Sequence, residues 1–453
     1  MYKEFPSERY FGIIEVQNPV LVLRDPDLVK AIMVKDFNCF SVRTYIGANP
    51  SEYILKHVIN MNGEEWKEMR GLLTPAFSSA KMKTTFMLMN SCSNRMVDFI
   101  LGAIQDNESV EITDVFARFT MDVIASCAFG LETDSITDQN CTFFHTVGAL
   151  LKTTKGRFYR RFIINFFPSF AKIFPIKLIP PEVTSMLTEV VRQSVEHREK
   201  YKMQRNDFLD VLIQTRINSH KYSEEKLQSR SKNTVEGLTI EQITAQAFVF
   251  FIAGYTTDTS VLSFCLFELS QNKDIQEKLC REVDASVNKH QGQITYQALQ
   301  EMTYMDQVVN ETLRMYGSGQ ILIRTCTKSY RIPESKVVLE PGTRVVIPTY
   351  SFHHDPKYFP EPHIFNPDRF SVQNTKNIRP FVFLPFGEGP RNCIGRSFGL
   401  LQIKIGLATI LYNFSVHPSP KQRVPIEIDK RCIVVTPANP IHLKFSIRRK
   451  NRL

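Results

Sequence analysis

Pro385-Phe-Gly-Glu-Gly-Pro-Arg-Asn-Cys-Ile-Gly395 is the stretch that decides how this chain is read. Glycines at 387, 389 and 395 bracket one cysteine, Cys393, and an apolar, helix-prone run follows from Phe398. Glycine lets a backbone approach a bulky group and turn several N–H groups toward one atom. Such donors, with the positive end of the following helix, favour a thiolate over a thiol. Phe386 is placed to keep water from the sulfur, and Arg391 adds a charge for an anionic group. A thiolate held in this way suits a haem iron. Two other readings compete. Gly387-x-Gly389 would open a dinucleotide loop, but Asn392 stands where the third glycine belongs and no strand–helix–strand context surrounds it. The other is an ordinary buried cysteine.

Working outward, the 453 residues are 43% hydrophobic and 23% charged, which excludes a disordered chain. Length alone suggests about three domains, but no linker interrupts the pattern. The net charge of +10 comes from 56 basic against 46 acidic residues, with no long block of one sign. That distribution weighs against nucleic acid, which calls for a concentrated basic stripe. It favours a basic face for an acidic protein or an anionic lipid. Nine cysteines are scattered without a CxxC pair, excluding a zinc ribbon and a c-type haem attachment. Single scattered cysteines suit a reducing compartment, hence the cytosolic side. No apolar run reaches membrane-spanning length, and Met-Tyr-Lys-Glu-Phe-Pro is not a signal peptide.

Residues 12–24 read as two short strands around Gln17-Asn18-Pro19, after which Asp25 caps a helix opening with Pro26. From about residue 60 to 320 the periodicity is mainly helical. Strand character returns in Val337–Leu339 and Arg344–Ile347, which flank a turn at Glu340–Thr343, and in Ile433–Thr436 and Ile441–Ile447. The expected fold class is mainly α with a minor β-sheet region. Residues 162–181, rich in Phe and Ile but broken by four prolines, read either as a segment dipping into a lipid interface or as a buried helix pair. Residues 239–271 form a long helix opening with Thr239 and Gln242 in capping-box spacing. Its centre, 248–254, is apolar all round, as befits a helix running through the middle of a protein.

Phe386–Gly395 resembles the haem-binding signature of the cytochrome P-450 family at every defining position. Glu311-Thr-Leu-Arg314 resembles the family's E-x-x-R helix, and Asn366-Pro-Asp-Arg369-Phe370 its P-x-R-F element. Gly63-Glu-Glu-Trp66-Lys-Glu-Met-Arg70 resembles its W-x-x-x-R helix, and Ala253-Gly-Tyr-Thr-Thr257 its oxygen-binding helix. The motifs occur in the family's order and span nearly the whole chain. The resemblance implies one catalytic domain over 1–453, with haem b between a long central helix and the cysteine loop. Cys393 is the implied iron ligand, with Phe386, Arg391 and Gly395 around it. Glu311, Arg314 and Arg369 are the implied ionic cluster. Trp66, Arg70, Arg324 and Arg391 are implied to meet the haem propionates, Gly254 to open an oxygen groove, and Thr257 to relay protons.

The chain departs from the family beside Thr257. The residue before that alcohol is usually acidic, but here it is Thr256; Asp258 lies one place beyond, roughly 100° around the helix. A water chain is expected to connect Asp258 to the oxygen side. Gly317-Ser318-Gly319 stands where the family has prolines and is expected to loosen a substrate wall. Apolar residues around 44–60, 162–181, 248–256, 318–323 and 436–440 are expected to line the pocket, which favours lipophilic ligands.

The implied activity is insertion of one oxygen atom from O2 into small lipophilic molecules. Electrons are expected from a flavoprotein NADPH reductase, with a small haem protein as a further donor. Lys67, Arg70, Lys81, Lys83 and Lys404 are expected to form the docking face. Two alternatives stay open: an isomerase or dehydratase of oxygenated lipids, and a low-turnover haem or ligand-binding protein. Val34-Lys-Asp-Phe37, Leu73-Thr-Pro-Ala-Phe77, Lys81-Met-Lys83 and Asn206-Asp-Phe208 are similar to the microsomal xenobiotic-oxidising branch, particularly its insect members. Those begin with an anchoring helix, so the expected location is the cytosolic face of the endoplasmic reticulum, touching the membrane surface in an anchorless form.

Overall fold

The helical periodicity after residue 60 is realised nearly without interruption in the computed structural model. The structure describes residues 2–448 apart from 16, 44–51, 106–108, 139, 152–154, 167–175, 206, 217–236 and 433. In chain order the helices are α1 (Pro26–Lys30), α2 (Gly63–Leu73), α3 (Ser79–Gln105), α4 (Ile112–Ile124), α5 (Thr142–Leu151), α6 (Lys155–Phe166) and α7 (Pro181–Tyr201). They continue with α8 (Ile240–Gln271), α9 (Lys273–Lys289), α10 (Tyr296–Glu301), α11 (Thr303–Tyr316), α12 (Thr349–His353) and α13 (Arg396–Asn413). Their starts follow local chemistry. Asp25 accepts from the Asp27 N–H at 2.9 Å with Pro26 opening α1. Thr239 and Gln242 exchange side-chain and backbone bonds of 2.9 and 3.2 Å before α8, as a capping box requires.

By its contacts the chain divides into two compact units. The first holds Met1–Thr44, Met89–Phe119 and Thr256–Leu453; the second holds Tyr45–Leu88 and Thr120–Tyr255. In the first unit, β1 (Tyr10–Glu15) and β2 (Asn18–Leu23) form an antiparallel hairpin. The short strand β3 is Val110–Glu111; β4 (Leu322–Thr325), β5 (Tyr330–Arg331), β6 (Val338–Leu339) and β7 (Arg344–Ile347) follow, then β8 (Phe414–Pro418) and β9 (His442–Ile447). The main sheet has the order β1-β2-β7-β4, with β2 and β7 parallel. It packs on Ile32, Phe40, Phe352 and Leu384 in a continuous apolar core.

Two local expectations fail. The strands on either side of Glu340–Thr343 do not pair with each other: β6 pairs with β5, and β7 lies between β2 and β4. Likewise β9 pairs with β8, while Val434 makes an isolated bridge to Gly319; Ile433 lies outside the described residues. Burial of an apolar face selects a distant strand over the neighbour across the turn.

The second unit is helical and has its own buried charge cluster. Arg198 on α7 binds Asp207 through two 2.7 Å hydrogen bonds and also reaches Asp210. Phe208 stacks on Phe250, and Phe77 meets both rings at an angle. Of residues 162–181, α6 covers the first part and α7 begins at Pro181; 167–175 lie outside the described residues, as do 44–51 of the expected pocket wall. Helix α8 has the length and apolarity of a membrane span, but Phe251, Leu262, Cys265 and Leu269 are wholly buried in protein.

Helix α11 of the first unit carries a charge cluster. Arg314 grips Glu311 through both carboxylate oxygens at 2.7 and 2.8 Å, and both side chains are fully buried. Arg369 adds a bond of 3.3 Å, and the Asn366 N–H another of 2.9 Å, to the same carboxylate. The expected cluster is therefore formed. One carboxylate against two guanidiniums is stable only when complete, so removing the carboxylate leaves buried cations unpaired. Glu311→Gln should lower the unfolding free energy by about 3–5 kcal/mol. Denaturant unfolding checks this, and a loss within the range of an exposed pair, below about 1 kcal/mol, would contradict it.

Candidate functional site

The cysteine loop is built from nested backbone bonds. The Gly387 N–H donates to Leu384 O at 3.1 Å, Asn392 N–H to Gly389 O at 3.0 Å, and Cys393 N–H to Phe386 O at 2.8 Å. Gly387 and Gly389 adopt left-handed φ of 66° and 73°, which L side chains rarely take. At Gly389 space forbids one too: a Cβ there would lie 2.1 Å from the Met33 carbonyl oxygen. Helix α13 starts three residues after Cys393 with Gly395 as its cap, so the sulfur sits by the helix's positive end. Cys393 is the one exposed cysteine among the nine; five are buried and three are half-buried. The sulfur faces outward from its glycine cradle, as a residue that binds a bulky partner must. Phe386 lies half-buried under the Arg396 guanidinium, 5.4 Å from its ring centre.

Two guanidiniums accompany the loop. Arg391 and Arg324 are each 1% exposed, among the largest fully buried side chains. Arg43 donates to the Arg391 carbonyl. Leu322 on β4 reaches within 3.7 Å of a Cβ built on Gly387, and Arg324 shares Leu322's face of that strand two residues on. Buried guanidiniums need anions, and their fork matches a carboxylate.

On α8 the burial pattern opens in the middle: Ile252–Thr257, Gly254 included, are half-buried or exposed within an otherwise buried helix. Asp258 is 5% exposed, and the Thr257 hydroxyl donates to its Oδ1 at 3.3 Å. That contact is direct, because adjacent residues on a helix can bond side chain to side chain. Burial pushes the Asp258 carboxyl up to about 7, against the lowering effect of the Thr257 bond.

A thiol in a glycine cradle, buried guanidiniums beside it and a helix that opens next to a threonine fit a haem with its two propionates. The family model for Cytochrome P450 matches residues 5–445. The chain is 36% identical over 446 residues to a probable cytochrome P450 6a13 of Drosophila melanogaster, covering 98% of this chain and 87% of that protein. It is 37% identical over 452 residues to cytochrome P450 9e2 of Blattella germanica, covering 95% and 84%. The chain belongs to the cytochrome P450 family. It is a haem-dependent monooxygenase, an oxidoreductase, and its cofactor is haem b.

Other predicted P450 residues are placed as follows. Trp66, 6% exposed, and Arg70 lie four apart on α2 in the second unit. Lys67 is exposed and bonded to Glu64, and Lys83 is exposed. Lys404 does not join a docking face: it is 5% exposed and bound to Asp306 at 2.9 Å. Its place on the apolar helix α13 turns it inward. Gly317 and Gly319 have specific neighbours. A Cβ at Gly317 would stand 2.4 Å from Leu313 O, and Gly319 O accepts from Thr349. An open cleft of about 520 Å³ in the second unit, lined by Gly71, Pro75, Lys81, Asp210 and Gln214, contains none of the predicted haem residues.

His353 is the residue that sequence reasoning missed. Its carbonyl accepts from Arg314 at 2.8 Å, and its ring Nε2 accepts from the Leu384 N–H at 3.0 Å. It thus joins the Glu311 cluster to the start of the cysteine loop. Burial, helped by His354 and Arg314, holds the ring down to about 3, so it is neutral and able to accept. The only signal in the sequence was the pair His353-His354 before Asp355-Pro356, with nothing to choose between them. An unfolded histidine takes up a proton near its ordinary value while the folded one does not. Stability contributed by neutral His353 is therefore present above about pH 6.5 and is lost as pH falls toward about 3. His353→Asn keeps an acceptor but cannot titrate. Its unfolding free energy should fall less steeply than wild type between about pH 6.5 and pH 5, by about 1.4 kcal/mol per pH unit. Equal slopes in parallel unfolding titrations would contradict this.

Proposed function

We propose that this P450 inserts one oxygen atom from O2 into small lipophilic substrates, with electrons from a flavoprotein NADPH reductase, at the cytosolic face of the endoplasmic reticulum. The observation that carries this reading is the exposed Cys393 in a loop that only glycine at 389 can close. Haem bound to that thiolate supplies oxygen activation, since a thiolate ligand favours O–O cleavage. The protein's part is to hold and to deliver. Cys393 holds the iron. Phe386 and Gly395 shape the loop, and Arg324 and Arg391 offer forks to the propionates. Thr257 presents a hydroxyl for proton transfer, and Gly254, one turn earlier on the same face, leaves backbone space beside it.

The whole of 1–453 is taken as one catalytic domain. Lys67, Lys81 and Lys83 of the second unit are the basic residues offered to an acidic reductase, with Lys404 removed from that set. Exposed Tyr159 and Phe162 on α6 are the apolar side chains offered to a lipid surface.

One comparison separates this reading from an isomerase of oxygenated lipids. With reductase, NADPH and O2, a panel of lipophilic compounds should yield oxygenated product carrying one atom from labelled O2. Product that forms only from a lipid hydroperoxide, without reductase, would overturn the monooxygenase reading.

A further inference from the structure

The seam between α8 and α13 holds polar atoms that the site described so far does not use. Asp258 is almost wholly buried, and its Oδ2 has no hydrogen-bond partner among the described residues. Its other oxygen takes, among the described residues, only the 3.3 Å bond from Thr257. Across the seam stands Gly399, six residues past Cys393, where a Cβ would come within 3.2 Å of Asp258 Oδ1. One turn on, Gln402 is fully buried, and neither its amide oxygen nor its nitrogen has a partner among the described residues. Leu262 against Gly406 closes the seam further along. An apolar seam would leave these atoms out, because each buried and unmatched polar atom is costly. Polar groups placed this way hold protons or ordered water.

We propose that Asp258 stores the proton that the Thr257 hydroxyl passes on, so that the α8–α13 seam is this chain's proton route to the oxygen side. This rests on the reading of Thr257 given above. A buried carboxylate with one weak hydrogen bond is poorly stabilised as an anion, whereas the neutral acid is tolerated. Across the seam Gly399 and Gln402 are neutral, and of the two cations of α13 Arg396 is exposed over the Phe386 ring while Lys404 is tied to Asp306. Thr256, the neighbour on the other side, has no acid to give, and its carbonyl accepts from Ser260 at 2.9 Å. With burial bringing the carboxyl up to about 7, the proton is present on the acid side of neutrality and leaves as pH rises.

The test uses the haem-loaded full chain and two readouts. Infrared difference spectra across pH should show a protonated-carboxyl C=O band that disappears with a midpoint near about 7 and is missing in Asp258→Asn. Coupled product formation should fall with the same midpoint in the wild type. In Asp258→Asn it should be roughly 100-fold lower and independent of pH there. Asp258→Glu should restore part of the band and of the coupling. If Asp258→Asn fails to fold, Gly399→Ala serves instead: its methyl crowds Oδ1 and should shift both midpoints upward. A band unaffected by either variant, or a band lost with no change in the pH profile, overturns the proposal. Absence of any reductase-supported oxygenation in the wild type would instead sink the function proposed above, and the infrared arm would still decide whether Asp258 holds a proton.

Discussion

A single fully buried carboxylate, Glu311, sets the frame on which the cysteine loop rests. Its two oxygens bind Arg314, Arg369 and the Asn366 N–H, so its hydrogen-bonding capacity is filled only when α11 and the Pro367–Phe370 turn come together. Arg314 then reaches the backbone of His353, and the His353 ring receives Leu384 just ahead of the loop. Leu384 in turn closes the first bend at Gly387. Four links therefore run from a buried ion pair to the bend that presents Cys393. The ion pair is the strong link, and each of the others removes an alternative position for the next. That is how a loop without regular structure becomes a rigid holder for a metal ligand.

Close approach does the rest. Gly389 against the Met33 carbonyl and Gly399 against Asp258 are places where backbone or a small side chain is the only thing that fits. The first seats the loop on the segment after α1. The second allows the Asp258 carboxyl to sit in the seam between α8 and α13. Both determine what chemistry lies next to the sulfur and next to Thr257.

Much of this was legible in the sequence, and the reason is spacing. The capping box at Thr239 and the glycine bracket around Cys393 are short-range patterns whose geometry follows from helix and turn periodicity, whereas the Glu311–Arg314 pair read as a buried cluster only through its resemblance, with Arg369, to family motifs. What the sequence hid is long-range. Nothing local says that β7 prefers β2 to β6, since both choices bury apolar residues and only the assembled core decides between them. Nothing marks His353 over His354, or Lys404 as an inward lysine, because each depends on a partner about 30 or more residues away. The contact of Thr257 with Asp258 is the reverse case. It is local, but a helical-wheel argument treats adjacent residues as pointing apart, and flexible side chains do not obey that.

The account stands or falls on the bond from the Cys393 sulfur to haem iron. The direct measurement is the absorption spectrum of the reduced, carbon-monoxide-bound protein, taken for wild type and for Cys393→His. A thiolate donor predicts a strongly red-shifted Soret band in the wild type and its replacement by a histidine-like band in the variant. A histidine-like band in the wild type itself, or a red-shifted band that survives the substitution, would contradict the account.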